Sequence, residues 1–190
     1  MASRLSLDPA HRRISVEEFL EMDFGDTKVE LVDGIVYMMA GGKGLHNAIS
    51  MNVALALGNK LKGSGCRPYG SDQGVRTTHN TVRYPDVSVY CGKAVSPEFD
   101  DEIFLGDPTV VVEVLSQSTI QHDQRDKLDD YRELVGIECI IFVAPDSKRV
   151  RQVTRIGDQA WSDAWLAERS DVVISALGVT LTHGEIFSRD

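Results

Sequence analysis

The sequence has few cysteines and no long apolar run, and both absences narrow the class of protein. Its 190 residues include three cysteines, Cys66, Cys91 and Cys139, at wide spacing and without a CxxC pair. That pattern predicts reduced thiols rather than a disulfide framework or a zinc site. No apolar segment approaches the roughly 20 residues of a membrane helix, and the N-terminal sequence MASRLSLDPAHRR lacks the apolar core of a secretory signal. We therefore expect a cytoplasmic protein that does not bind a membrane.

Positive charge is also scarce, since 20 Lys and Arg residues face 29 Asp and Glu residues and the net charge is −9. Nucleic-acid binding draws on Lys and Arg, so this balance counts against such a role. It does not exclude one, because an acidic chain can carry a local basic groove and some carboxylates can be neutralised by bound metal ions. Ordinary globular composition and this length predict a single domain over residues 1–190, with residues 1–14 as a flexible N-terminal segment.

Strand and helix patterns follow one another along the chain and predict an α/β fold. Capping boxes at residues 15–18 and 118–121 mark two helix starts, and Gly136 marks the end of the second helix. Pro85 cannot donate to a sheet, so it places an edge or a bend within the strand over residues 81–91. The predicted elements are helices at 15–22, 45–61 and 118–135, a hairpin centred on 33–34, and strands at 66–69, 74–78, 81–91, 109–115, 137–145 and 148–155. We expect them to form a central mixed sheet flanked by helices.

Glu113 lies in the middle of the apolar strand TVVVEVL. A buried carboxylate costs several kcal/mol unless it is paired or bound to a cation. The residue is therefore held either by a salt bridge or hydrogen bond from a neighbour, or by a metal ion. Asp86 favours the metal, because it directly follows the bend at Pro85, where a side chain can be turned toward a neighbour. Two such carboxylates on adjacent strands suit Mg²⁺ or Mn²⁺.

Lys127 lies on the apolar side of the second long helix, on a face made by residues 120, 123, 127, 131 and 134. Its stem could cover apolar surface while its ammonium reaches water. Alternatively, the ammonium could reach the metal carboxylates, position the attacking water and stabilise charge on a phosphate. Asp123, one turn earlier, could orient Lys127, although an ordinary surface pair is the commoner outcome of that spacing. Asp123 and Tyr131 are also candidates for substrate binding.

Four segments carry a specific resemblance: VELVDG, RYPDVSVY, VVVEVLSQST with the helix residues that follow it, and GIECIIFVAPD. In this order they resemble the large bacterial Uma-type family of restriction-endonuclease-like proteins, within the PD-(D/E)XK nuclease superfamily. The similarity extends from roughly Ser15 to Phe187. It implies the restriction endonuclease-like fold and hydrolysis of DNA that depends on Mg²⁺ or Mn²⁺.

The resemblance also implies roles for particular residues. Asp86 and Glu113 would be the metal ligands, together with the backbone carbonyl of Val114. The superfamily lysine normally stands two positions after the acid, where this chain has Leu115. The Uma-type pattern carries a lysine on the following helix instead, which is Lys127 here.

Further candidates lie outside this core. Glu30, in VELVDG, matches the N-terminal acid of the family and could hold a second metal ion or one of its water ligands, or be an exposed strand residue. His46 opens the first long helix and could contact a phosphate or simply be solvated. Lys43, in the GGKG segment, could contact a substrate backbone. Ser116 could hydrogen-bond Glu113.

Two classes of function therefore compete. The first is a metal-dependent DNA endonuclease. The second is a nuclease-fold module that binds nucleic acid or a protein partner without cutting, which the net charge and the displaced lysine favour. An accessory protein of a toxin system or mobile element, active only in a complex, is a third class. A homodimer is expected if both DNA strands are cut, since such nucleases often dimerise, although no sequence feature identifies an interface.

Overall fold

The structure is a computed structural model that describes residues 12–39, 41–116 and 122–189, with the backbone alone at positions 122 and 123. The predicted flexible segment falls mostly on residues 1–11, which lie outside the described residues. The helices are α1 (Val16–Leu20), α2 (Gly44–Lys60), α3 (His122–Arg132) and α4 (His183–Phe187). The strands are β1 (Val29–Val32), β2 (Ile35–Met38), β3 (Cys66–Gly70), β4 (Val75–Thr78), β5 (Thr81–Arg83), β6 (Val87–Cys91), β7 (Val110–Val114), β8 (Cys139–Ala144), β9 (Arg149–Gly157), β10 (Ala160–Trp165), β11 (Val172–Ile174) and β12 (Val179–Leu181).

A six-stranded mixed sheet in the order β10-β9-β8-β7-β6-β3 forms the centre of the molecule. Strands β7 and β8 run parallel, while their outer neighbours pair antiparallel. Helix α2 packs on one face of this sheet and α3 on the other. Strand β7 is therefore buried on both sides, as its nearly continuous β-branched sequence predicts. The predicted flanked mixed sheet is confirmed. Among the described residues, no helix has the length and apolarity needed to cross a membrane.

Pro85 divides one predicted strand between two sheets. The part before it, β5, joins a four-stranded sheet in the order β2-β1-β5-β4, and the part after it, β6, joins the central sheet. A proline has no backbone N–H to donate, so the chain can leave one ladder here and enter the other. The sequence predicted a bend at Pro85 but not the smaller sheet. Asp86 consequently lies at the junction of the two sheets.

The hairpin and the first helix form as their local sequences predict. Asp33 and Gly34 have φ angles of 51° and 76°, the left-handed pair that a two-residue hairpin turn requires. The Ile14 backbone N–H donates to the Gly34 carbonyl over 2.9 Å, which ties the start of the described chain to this turn. Helix α1 carries the predicted reciprocal cap, in which Ser15 Oγ accepts from the Glu18 backbone and Glu18 accepts from the Ser15 backbone.

Helix α3 ends at Arg132, before the predicted end at residue 135. The guanidinium of Arg155 explains this end, because it donates to the carbonyls of Leu134 and Ile137 over 2.8 and 2.7 Å. Those bonds draw the chain out of the helix and onto β9. The predicted start of this helix, the capping box at residues 118–121, lies outside the described residues.

The prediction of three reduced cysteines was wrong. Cys66 and Cys91 lie directly opposite each other on β3 and β6 and form a disulfide, with 4.0 Å between their Cα atoms. Spacing along the chain could not reveal this pair, because the sheet brings together two residues that are 25 positions apart. Cys139 is a buried free thiol.

Candidate active site

Glu113 is the centre of the site, and both of its carboxylate oxygens are held from α3. The Tyr131 hydroxyl donates to Oε1 over 2.6 Å, and the Lys127 ammonium donates to Oε2 over 2.9 Å. Glu113 is only 5% exposed. The structure thus satisfies the buried carboxylate with a salt bridge and a hydrogen bond, and it turns the Lys127 side chain inward.

The protonation of Glu113 is set by opposing influences. Burial raises the pKa of Glu113, while the charge of Lys127 and the hydrogen bonds from Tyr131 and Lys127 oppose that rise. The negative charge of Asp86 raises it further. Burial and the adjacent Glu113 carboxylate hold the pKa of Tyr131 well above its usual range, so Tyr131 remains a hydrogen-bond donor.

Asp86 reaches the same region from β6. Val87 pairs with Val112 in the antiparallel ladder of β6 and β7, so Asp86 lies one step beyond, level with Glu113. Its Oδ2 accepts a 2.7 Å hydrogen bond from the Val114 backbone N–H. This bond fixes the carboxylate against the end of β7. The two acids predicted as ligands therefore come together at one place in the fold.

His46, in the first turn of α2, contacts Asp86 from the other side. Its Nε2 lies 3.2 Å from Asp86 Oδ2. The hydrogen bond to Asp86 raises the pKa of His46, and burial of the ring acts in the opposite direction. A Cβ atom at Gly42 would lie 2.7 Å from His46 Nδ1, so the glycine lets the preceding loop approach the ring. The histidine predicted to contact a phosphate is thus placed beside an acid of the site.

A cavity of about 510 Å³ opens next to these residues, at the carboxyl ends of the parallel strands β7 and β8. Ligands of open α/β sheets commonly bind at such strand ends. Lys43, His46 and Ser116, three of the predicted substrate-binding residues, all line this cavity. Asp146 lines it as well. The Asp123 side chain, a further candidate, lies outside the described residues.

A buried arginine that sequence reasoning missed lies beside the site. Arg83 Nη1 is 3.2 Å from Glu30 Oε1, and Arg83 Nε donates to Asp130 Oδ2 over 2.7 Å. Burial would lower the pKa of Arg83, but the two carboxylates outweigh it and raise the pKa. The contact of Glu30 is therefore with this arginine. A charged residue at the end of the buried strand TVR was the available signal.

The side chains around Asp86 and Glu113 determine whether a divalent cation fits this site. Within the described ranges, no group of three or more His, Cys, Asp or Glu side chains is arranged to hold a metal ion. Asp86 and Glu113 instead offer two carboxylates. Mg²⁺ is typically bound by one or two carboxylates, with waters and substrate oxygens completing its coordination, so the residues present fit a hard divalent ion in their chemistry.

Comparison with solved structures defines the class of fold. A crystal structure described as a "putative nuclease belonging to DUF820", from Anabaena variabilis, matches with a TM-score of 0.77. The match covers 92% of this chain and 98% of that chain at 20% sequence identity. The chain therefore has the fold of that nuclease-like protein.

The sequence comparisons identify the family. Residues 16–183 match the Uma2 family, described as "Putative restriction endonuclease", and the chain belongs to this family. The uncharacterized protein slr1290 of Synechocystis is 31% identical over 152 residues, covering 78% of each chain. The uncharacterized protein sll1609 of the same organism is 25% identical over 152 residues, covering 78% of this chain and 84% of the other. The resemblance inferred from the four sequence segments is confirmed.

Proposed function

We propose that this protein is a cytoplasmic DNA endonuclease that hydrolyses phosphodiester bonds with Mg²⁺ or Mn²⁺. The observation that carries the proposal is the convergence of Asp86 and the buried Glu113 at the end of β7, with Lys127 directed at the Glu113 carboxylate. Asp86, Glu113 and the backbone carbonyl of Val114 would hold the ion. Once bound, the ion would activate water and stabilise negative charge on the phosphate.

Each side chain around the acids has a separate part in this proposal. The Val114 N–H and His46 hold Asp86 in place, and Tyr131 holds Glu113. A carboxylate fixed in this way needs little reorganisation when it binds a cation. The Lys127 ammonium, 2.9 Å from Glu113, would orient the attacking water and stabilise charge on the scissile phosphate. A lysine on α3 would thus replace the superfamily lysine that is absent at Leu115.

The cavity beside His46 would receive the substrate backbone. Lys43 supplies a positive charge and Ser116 a hydroxyl group at its lining. Hydrogen bonds to phosphate oxygens position a nucleic acid without reading its sequence. The net charge of −9 means that these local groups, together with the metal ion, would have to overcome long-range repulsion. Added salt weakens the attraction of these groups to phosphate but also screens this repulsion, so we expect DNA binding to depend only weakly on salt.

A second candidate is a nuclease-fold module that binds nucleic acid or a protein partner without cutting. The occupied Glu113 favours it, because Lys127 and Tyr131 already engage both carboxylate oxygens. A cation would have to share these oxygens with the two donors. Measured Mn²⁺ uptake separates the two candidates, since the binding module does not require it.

The experiment compares three proteins on supercoiled plasmid and on single-stranded DNA, with Mg²⁺, Mn²⁺ or EDTA. They are the wild type, Asp86→Asn, and Asp72→Asn as the matched control. Asp72 also forms an ion pair, with Lys28 over 3.0 Å, but its side chain is 99% exposed. Calorimetric titration with Mn²⁺ is made on the same samples.

The proposal expects metal-dependent nicking by the wild type and by Asp72→Asn. Asp86→Asn should lose the nicking activity and take up Mn²⁺ more weakly. Equal cleavage by the wild type and Asp86→Asn would refute it. DNA retention by the wild type with neither cleavage nor Mn²⁺ uptake would favour the binding module. Sedimentation of the wild type with and without DNA tests the predicted homodimer.

A further inference from the structure

Arg83 makes an unusual set of contacts for a residue of a small sheet. It is 3% exposed, and its charge is matched by acids from two different elements. Glu30 comes from β1, and Asp130 comes from α3, with contact distances of 3.2 and 2.7 Å. Arg83 therefore joins the four-stranded sheet to the helix that packs on the central sheet.

The acid on α3 is next to the residues that hold Glu113. Asp130 immediately precedes Tyr131, and Lys127 lies one turn earlier. Helix α3 is strongly polar, and the buried apolar residues among its described side chains are Leu128 and Tyr131. With little apolar surface to fix it, the position of α3 depends on its polar ties. The Arg83 contact is one of these ties, and the contacts of Lys127 and Tyr131 to Glu113 and of Arg132 to Asp163 are further ones.

Stability alone is a poor explanation for this cluster. A buried ion pair recovers little net energy after desolvation, and an apolar replacement is often as stable. The second carboxylate oxygen of Glu30, Oε2, is buried and has no hydrogen-bond partner in the described part of the chain, which adds a further cost. What the cluster does provide is geometric definition, because the two contacts use separate nitrogens of one rigid guanidinium.

We propose that Arg83 is a positioning residue: it ties β1 to α3 through Glu30 and Asp130, and so sets where Lys127 and Tyr131 meet Glu113. The inference rests on the proposed nuclease function for its effect on catalysis, but the structural tie can be measured without it. It also gives Glu30 a role that differs from the one predicted from the sequence. Glu30 acts through Arg83 rather than as a ligand of a second metal ion.

The test uses Arg83→Lys, which keeps the charge but offers one ammonium in place of a two-nitrogen fork. Arg76→Lys is the matched control, because Arg76 lies on the adjacent strand β4 and contacts Glu17 on α1 over 2.9 Å, away from Glu113. Three measurements are made: the NMR signal of the buried Tyr131 hydroxyl proton, the Mn²⁺ affinity, and the kinetics on a labelled duplex, which give kcat and KM.

The proposal expects Arg83→Lys to remain folded, to shift or lose the Tyr131 hydroxyl signal, and to lower kcat by up to about 100-fold with KM nearly unchanged. The magnitude is that of a displacement of about 1 Å in a catalytic group. Arg76→Lys should match the wild type in all three measurements. If Arg83→Lys fails to fold, Asp130→Asn removes the same charge contact from the other side and should shift the same signal.

Either of two results overturns the inference. One is a lower melting temperature in Arg83→Lys with the Tyr131 signal and kcat both equal to those of Arg76→Lys, which marks a purely structural residue. The other is an unchanged Tyr131 signal in folded Asp130→Asn. If the wild type shows neither Mn²⁺ uptake nor cleavage, the proposed function fails, and the Tyr131 signal alone then decides whether Arg83 positions α3.

Discussion

The Tyr131→Phe substitution tests the environment of Glu113 most directly. It removes one oxygen atom, the donor of the 2.6 Å hydrogen bond to Glu113 Oε1, from a fully buried ring. Hydrogen bonds to charged groups contribute about 1.5–3 kcal/mol, and a buried acceptor left without its partner carries its desolvation cost. We expect the free energy of unfolding to fall by about 2 kcal/mol, which for a chain of this size is a fall of roughly 4–8 °C in Tm.

The chain provides a matched control in Tyr90→Phe. Tyr90 is equally buried and lies in the same central sheet, on β6, but its hydroxyl has no hydrogen-bond partner among the residues that the structure describes. Removing it deletes an unsatisfied polar atom, so we expect a change near zero or a slight gain in stability. Urea unfolding of the wild type and both variants at pH 7, without metal, gives the three free energies.

The comparison isolates the hydroxyl–carboxylate bond, because both variants lose the same atom from the same kind of ring. Losses for Tyr131→Phe and Tyr90→Phe that agree within about 0.5 kcal/mol, the size of an ordinary neutral substitution, would refute this account of Glu113. Cleavage assays on the same samples then show whether the bond also matters for activity.

Three further predictions concern charge and covalent links. Lys127→Met should abolish cleavage and cost about 3–5 kcal/mol of stability, because it leaves Glu113 buried without its cation. Lys60→Met breaks an ion pair with Glu185 whose side chains are 31% and 34% exposed, and it should cost under about 1 kcal/mol in the same unfolding assay. The pKa of Glu113 is raised, so the folded state keeps this proton to higher pH than the unfolded state does. The resulting stability is complete below pH 4.5 and is lost as pH rises through the folded pKa, so the melting temperature should fall more steeply with pH for the wild type than for Glu113→Gln. The unreduced protein should show one reactive thiol in denaturant and three after reduction, and three thiols without reduction would contradict the Cys66–Cys91 bond. Cys66→Ser should lower the free energy of unfolding by about 3.5 kcal/mol.

Local sequence by itself determined the identity of most elements. The Asp33-Gly34 turn, the Ser15 cap and the β-branched run around Glu113 depend on backbone preferences and hydrophobic patterning within a few residues, and each formed where it was predicted. The sequence also marked Glu113 as costly to bury, and four short segments in order identified the family. These features could be read because their physical causes act between residues close together in the chain.

Tertiary structure decided how distant residues meet. Pro85 predicted a bend in the chain. Only the packing shows that the chain passes from one sheet to the other at this bend, which places Asp86 level with Glu113. The Cys66–Cys91 bond and the Arg83 cluster were hidden for the same reason, since their partners come from strands and a helix far away in the sequence. A charged or thiol side chain carries no local sign of its partner. The partner is decided when the sheets and helices pack, because each buried polar group then needs a hydrogen-bonding or charged partner close to it.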